Sequence, residues 1–198
     1  MTYAIIGSGA IGSAIARQFA RKNITVAIAN SRGAASIVPL ADELGPHVVP
    51  CSISGALEAD IIILAVPFTA VAEAVRGHAN WQGKIVIDAT NAIDFSDFSP
   101  ADLGGRLSTD IVAEAVPGAR VVKAFNTLPA AILARDPAGD IGARVLFTSG
   151  NDADANAVVD ALIQQLGFAP INLGGLAEGG RLQQFGGQLT IHSLIKQS

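Results

Sequence analysis

One cysteine in 198 residues, Cys51, leaves no partner for an internal disulfide and predicts a reducing, cytoplasmic setting. The three histidines, His47, His78 and His192, fall on separate segments with no ligand spacing between them. Such an inventory predicts neither a zinc nor an iron site. Charged residues make up only 15% of the chain and the formal net charge is −4, so nothing recommends nucleic acid or an anionic membrane surface as a partner. No apolar run reaches the roughly eighteen residues of a membrane span. The longest, Ile61 to Ala72, is interrupted by Pro67 and Thr69. Met1 leads straight into an apolar run, which predicts no signal or transit peptide. Neither a GxSxG elbow nor a phosphate-binding GxxxxGK[ST] loop occurs.

What the chain does have is apolar residues and glycine. Half of it is hydrophobic, and 21 residues are glycine. Strands buried on both faces of a parallel sheet read as continuous apolar runs, so the excess fits an α/β fold. Such runs occur at Tyr3–Ile6, Ile24–Ala29, His47–Cys51, Ile61–Val66, Lys84–Ala89, Arg120–Ala124, Ala143–Thr148 and Phe168–Leu173. Between several of them lie helical patterns, including 11–19, 34–44, 108–116 (with Ser108 or Thr109 as its cap) and 152–166. The alternation predicts a doubly wound, mostly parallel sheet of the dinucleotide-binding class. We expect one domain over residues 1–198, with 143–198 as an extension of it. A terminal helix is expected over about 181–195, and periodicity vanishes between Asp94 and Gly105, which predicts a loop or a lid.

The first thirty-two residues carry the sharpest signal. After the opening strand comes Gly7-Ser8-Gly9-Ala10-Ile11-Gly12, then a helix, then a second strand ending in Asn30-Ser31-Arg32. GxGxxG between a strand and a helix is the context that pyrophosphate recognition needs. Gly7 permits the tight turn, Gly9 lets backbone approach the phosphates, and Gly12 lets the helix pack on the strand. Free N–H groups at the helix start then face the anion. An NAD-binding unit places Asp or Glu at the end of the second strand to bind the ribose 2′-OH. This chain has Asn30, Ser31 and Arg32 there, and no acid before Asp42. A guanidinium grips a 2′-phosphate that a carboxylate would repel, so the sequence predicts NADP(H).

In a doubly wound sheet the ligand lies across the carboxyl ends of the strands. Besides 7–12 and 30–32, that rule selects Ala65, Val66, Pro67 and Phe68, then Thr90 and Asn91, then Asn126, Thr127, Leu128, Pro129 and Ala130. Val66 to Phe68 would form an apolar wall, with core packing an equal reading for Phe68. Asn126 and Thr127 offer groups for the nicotinamide carboxamide or an acceptor, and equally for capping the turn before Pro129. No certain catalytic residue emerges: Phe68, Lys123 and Asn126 are weak candidates, and Lys123 is read first as a solvated group at the sheet edge. Asp88 at a strand end is read as a backbone partner. Hydride exchange between two cofactors needs alignment more than proton transfer, which fits so thin an inventory.

These motifs, with Val121-Val122-Lys123-Ala124-Phe125-Asn126-Thr127, Ser149-Gly150-Asn151-Asp152 and Gly174-Gly175-Leu176 to Arg181-Leu182, resemble the F420-dependent NADP oxidoreductase family over essentially the whole chain. The resemblance implies a small enzyme moving hydride between NADPH and the C5 of a deazaflavin, coenzyme F420, with flavin as a second acceptor to consider. It also implies a homodimer whose C-terminal segment closes the pocket. In that likeness Ser8 to Ile11 touch the pyrophosphate, Ser31 and Arg32 the 2′-phosphate, and Val66 to Phe68 with Leu128 to Ala130 border the nicotinamide and acceptor. Deazaflavin-reducing members often carry Thr-Gly-Asn in the first turn, where this chain has Ser8-Gly9-Ala10. The other readings are an NADPH-dependent reductase of a small carbonyl or imine, which would need a proton donor such as Lys123, and a non-catalytic NADPH sensor.

Overall fold

Apolar side chains at nearly every position of the short central strands leave them only one place to go, the middle of a layered sheet. Tyr3–Ile6 (β1), Val26–Ala29 (β2), Val48–Pro50 (β3), Ile61–Leu64 (β4) and Ile85–Asp88 (β5) form its first part. Between them lie Ala10–Arg21 (α1), Val38–Leu44 (α2), Ile53–Ala56 (α3) and Val71–Ala74 (α4). The computed structural model describes residues 1–197.

The chain continues through a small hairpin, Ile93–Asp94 (β6) with Ser99–Pro100 (β7), and then Ser108–Ala115 (α5), Arg120–Ala124 (β8) and Ala130–Leu133 (α6). Ala138–Gly139 (β9), Gly142–Gly150 (β10), Ala153–Gln165 (α7) and Ala169–Asn172 (β11) complete the body. The sheet runs β11-β10-β8-β5-β4-β1-β2-β3. All neighbours on this path are parallel except β10 against β8.

Alternate residues serve opposite faces. Ile5, Ile63 and Ile87 join α1, α6 and α7 in one apolar cluster, while Ala4, Ile6, Ile62 and Val86 join α3, α4 and α5 in another. β2 and β4 flank β1 on opposite sides, so the winding reverses at β1, and the carboxyl ends of β1, β2 and β4 open onto one crevice. Among the described residues no helix is long and apolar enough to cross a membrane, and no group of three or more His, Cys, Asp or Glu stands ready to hold a metal.

Four expectations need correction. The terminal helix over 181–195 does not form. A π-turn at Leu176–Gly180 leads into a single short turn, Arg181–Gln183 (α8), and the chain then unwinds to Ile195–Lys196 (β12), which pairs antiparallel with β10. Gly186 takes φ +83 and Gly187 could carry no side chain without striking the backbone carbonyls of Leu182 and Arg181. Two such glycines inside an apolar period end a helix. Second, the stretch 94–105 is not wholly irregular, since it includes the β6–β7 hairpin, with Phe95 and Phe98 edge-to-face at its exposed tip. Third, neither Ser108 nor Thr109 caps α5. Leu107 is the cap residue and the Asp110 carboxylate accepts its N–H, while both hydroxyls lie buried without a partner. Fourth, Lys123 is not solvated at an edge but fully buried on a central strand.

Candidate functional site

Three glycines shape the first turn, each differently. Gly7 leaves β1 at φ +113, and a Cβ there would meet the carbonyl oxygen of Ala65. A Cβ on Gly12 would run into the carbonyl oxygen of Gly7. Gly9 caps α1 at an ordinary φ of −75°, and nothing lies within 4 Å of where its Cβ would stand. The fold therefore requires Gly7 and Gly12 for its own packing, whereas Gly9 keeps open space over the helix start. That helix has no acidic residue in its first turn to compete with an anion. The unbonded N–H groups of its first residues face outward at this end.

Asn30 organises the neighbouring loop. Its Nδ2 donates to Ser8 Oγ (2.6 Å) and to Ser36 Oγ (3.0 Å), and its Oδ1 accepts the Arg32 N–H (2.8 Å). One amide thus locks the glycine turn to the end of β2. The Arg32 guanidinium is exposed, its nearest polar neighbour is Ser8 Oγ at 3.5 Å, and no described carboxylate lies within 4.0 Å of it. Gly7 to Gly9, Asn30 to Arg32 and Ala65 to Pro67 line one groove of about 480 Å³. Ile6, Ile53, Ala70, Glu73 and Ala74, which the sequence reading did not select, complete it, and Glu73 is paired with Arg76.

A second recess, of about 240 Å³, is lined by Ile11, Asn91, Asn126 to Pro129, Phe185, Thr190 and Ile191. Phe125, buried at the end of β8, takes φ +66, a conformation that costs a non-glycine residue energy and persists only where surroundings enforce it. The enforcement is a buried amide clasp. Asn91 Nδ2 donates to the Asn126 carbonyl (2.9 Å), and Asn126 Nδ2 donates to Asn91 Oδ1 (3.0 Å) and the Gln183 carbonyl (2.7 Å). Gln183, fully buried, donates to the carbonyls of Phe147 (3.0 Å) and Lys123 (3.3 Å) and accepts from Ser149 Oγ (2.5 Å). The Ile191 N–H bonds the Thr127 carbonyl at 2.8 Å. The C-terminal segment is in this way fastened over the strand ends.

Some selected residues do not face either recess. Thr90 is 2% exposed; its hydroxyl donates to Asp88 Oδ1 (2.7 Å) and its carbonyl accepts from Lys123 Nζ (3.1 Å). Lys123 Nζ also lies 2.9 Å from Asp88 Oδ2, with both side chains wholly buried. Lys123 is therefore a sealed structural cation rather than an available proton donor. Asp88, read as a backbone partner, does accept the Thr90 N–H (2.9 Å). Phe68 packs on the apolar cluster around Trp81, and Ala130 only opens α6. Asn126 does line the smaller recess, but it spends both amide donors in the clasp, and its Oδ1 is buried without a partner. The sequence reading missed Gln183, Phe185, Thr190 and Ile191 as site residues because it placed them on a regular helix. Gly186-Gly187 beside them was the signal against it.

Residues 2–92 match the family model described as NADP oxidoreductase, coenzyme F420-dependent. Among solved structures, a hypothetical protein from Sinorhizobium meliloti is 57% identical, with 99% of this chain and 96% of that one covered and a TM-score of 0.97. A protein of Arthrobacter sp. FB24 described as a candidate F420-dependent NADP reductase is 28% identical over 89% of this chain and 86% of its own, with a TM-score of 0.74. A reductive aminase from Aspergillus terreus, in complex with NADPH and ethyl levulinate, is 25% identical over 89% of this chain. Only 56% of that longer enzyme is covered, with a TM-score of 0.63.

Proposed function

We propose that this chain belongs, as the match over residues 2–92 suggests, with the coenzyme F420-dependent NADP oxidoreductases, and that it passes hydride between NADP(H) and a deazaflavin or flavin-like ring. In this reading Gly7 to Ile11 hold the pyrophosphate, and Ser31 and Arg32 the 2′-phosphate. Ala65 to Pro67 border the ribose, while Thr127 to Pro129 border the nicotinamide. The bound nicotinamide supplies or accepts the hydride; the protein aligns it and keeps water away. Residues 1–198 act as one binding unit with 143–198 as its extension. The exposed Ile191, Leu194 and Ile195 on the closing segment support a homodimer.

The observation that carries this reading is chemical: none of the residues lining the 240 Å³ recess titrates near neutral pH. Reduction of a carbonyl or imine requires a proton delivered to oxygen or nitrogen. Lys123, the donor named for that role from the sequence, is locked in a buried pair with Asp88. Hydride added to a flat, conjugated ring leaves a charge that the ring's own nitrogens and carbonyls disperse, and the balancing proton comes from water, so no donor side chain has to be built into the site.

The test is NADPH oxidation followed in turn with a 5-deazaflavin, FMN, FAD, and a panel of carbonyls and imines. Turnover with a deazaflavin or flavin and none with the panel is the expected result. Turnover confined to the panel would replace this reading with the reductase one. A protein that binds NADPH but reduces none of these acceptors would stand instead as a nucleotide sensor.

A further inference from the structure

Phe185 lines two recesses, the small one at the strand ends and a larger one of about 360 Å³. The larger is bounded by Pro100, Arg181, Leu182 and Gln184 and by the backbone bend through Gly186 and Gly187. Arg181 is the one charged residue in that lining. Resting on the hydride-acceptor reading above, we propose that this recess is a second lobe of the acceptor site. In it Arg181 binds a phosphate or carboxylate that the acceptor carries outside its reacting ring.

Three observations support the assignment. Arg17, Arg76, Arg106 and Arg120 each have a carboxylate within 4.0 Å, whereas Arg181 has none among the described residues. Arg21, Arg32, Arg135 and Arg144 share that condition, but Arg21 is spent on Gln18 and backbone carbonyls and Arg144 on Ser193, and of these five only Arg32 and Arg181 line one of the recesses described above. An unpaired guanidinium over a concave surface offers a two-pronged donor that matches phosphate or carboxylate. Next, Arg181 sits on anchored structure, two residues before the buried Gln183. A Cβ on Gly186, at φ +83, would strike the Pro100 ring, so the far wall lies hard against the hairpin. The recess therefore exists before any ligand arrives. Last, the nearby acids are engaged: Asp102, in an adjoining recess of about 220 Å³ that Arg181, Gln184 and Arg106 also line, lies beyond ion-pair distance of Arg181 and accepts the Gly104 N–H (2.9 Å), and Glu114 pairs with Arg106 (2.5 Å). The small recess alone falls below the ~300–1,000 Å³ range usual for ligand sites, and the added lobe brings it within that range.

The experiment compares ring pairs that differ by one phosphate: riboflavin with FMN, and 5-deazariboflavin with its 5′-phosphate. Calorimetric titration of each into the full chain saturated with NADP+, at low ionic strength, reads the difference directly. The phosphorylated member of a pair is expected to bind about tenfold more tightly. Arg181→Ala should bring its affinity down to that of the unphosphorylated ring, and Arg181→Lys should retain part of the difference. Equal affinities in the native protein, or a phosphate advantage that survives Arg181→Ala, would overturn the anion seat while leaving the acceptor reading in place. Binding of neither ring would overturn the acceptor reading and the lobe with it.

Discussion

The two recesses along the strand ends are built on opposite principles. The nucleotide groove is lined by bare backbone, an open space at Gly9 and an unpaired Arg32, held by one asparagine. The smaller recess is walled by Ile11, Leu128, Pro129, Phe185 and Ile191 together with Asn91, Asn126, Thr127 and Thr190, and it is braced by Asn126 and Gln183, buried amides whose donors are committed. Anions are recognised by donors left free, so the first region must leave donors without partners. A conjugated ring is recognised by shape, so the second must spend its polar groups on rigidity.

The largest expected effect separates glycines that serve the fold from the one that serves the ligand. Gly12→Val drives a side chain into the Gly7 carbonyl and should cost roughly 4 kcal/mol or more, or abolish folding. Gly9→Val meets nothing in the protein and should leave the thermal midpoint nearly unchanged while abolishing NADPH binding. Paired melting curves and nucleotide titrations check both. A Gly9→Val protein that binds NADPH normally would place the diphosphate elsewhere.

Breaking the support of the second region comes next. Lys123→Met removes the partner of a carboxylate with no solvent access, and should destabilise the protein by about 3–5 kcal/mol. Adding Asp88→Leu should restore much of that loss in chemical denaturation, because the uncompensated charge goes with it. If Lys123 were instead the proton donor of a carbonyl reductase, Lys123→Met would leave stability nearly intact while removing activity.

Why one region was legible in the sequence and the other was not follows from the same contrast. Glycine turns and strand ends are local: Gly7, Gly9 and Gly12 announce themselves by spacing, and Asn30 to Arg32 by following an apolar run. The alternation of apolar runs likewise gives the sheet, since every central strand is buried on both faces. The clasp is nonlocal. Gln183 reaches Phe147 and Lys123, 36 and 60 residues away, and no period in the chain records that. Apolar spacing at Leu182, Phe185 and Leu189 imitated a helix, and the double glycine outweighed it. Lys123 misled for a related reason, because a lysine at a strand end reads as solvated until its buried partner, Asp88, is placed beside it.

The nucleotide preference sharpens the comparison further. Arg32→Ala should weaken NADPH binding by about 1.5–3 kcal/mol and leave NADH nearly unaffected, since a single charge-assisted contact is lost. Titration of both nucleotides decides it. Equal losses would mean that Arg32 acts on the fold of the loop, whose N–H is already tied to Asn30, rather than on a third phosphate.

The smallest effect lies at the opposite end of the sheet, where an exposed carboxylate repeats the motif that the buried one uses. Asp60 Oδ2 accepts the Thr2 N–H (2.7 Å) and the Thr2 hydroxyl (3.1 Å), tying the start of β1 to β4. Asp88 accepts the Thr90 N–H and hydroxyl in the same manner, but out of reach of water. The Thr2 N–H, then its hydroxyl, hold the Asp60 carboxyl below the ordinary carboxylate range. A carboxyl depressed on folding contributes stability above its unfolded pKa, and the contribution is lost as pH falls through the lower folded value. Solvent screening keeps it small, so acid titration followed by carboxyl NMR is the suitable measurement. Thr2→Ala should remove the hydroxyl contact and move the Asp60 midpoint part of the way back up. A midpoint unmoved by that change would mean the hydroxyl contact contributes nothing there, and that this motif gains its strength only where Asp88 has it, away from solvent.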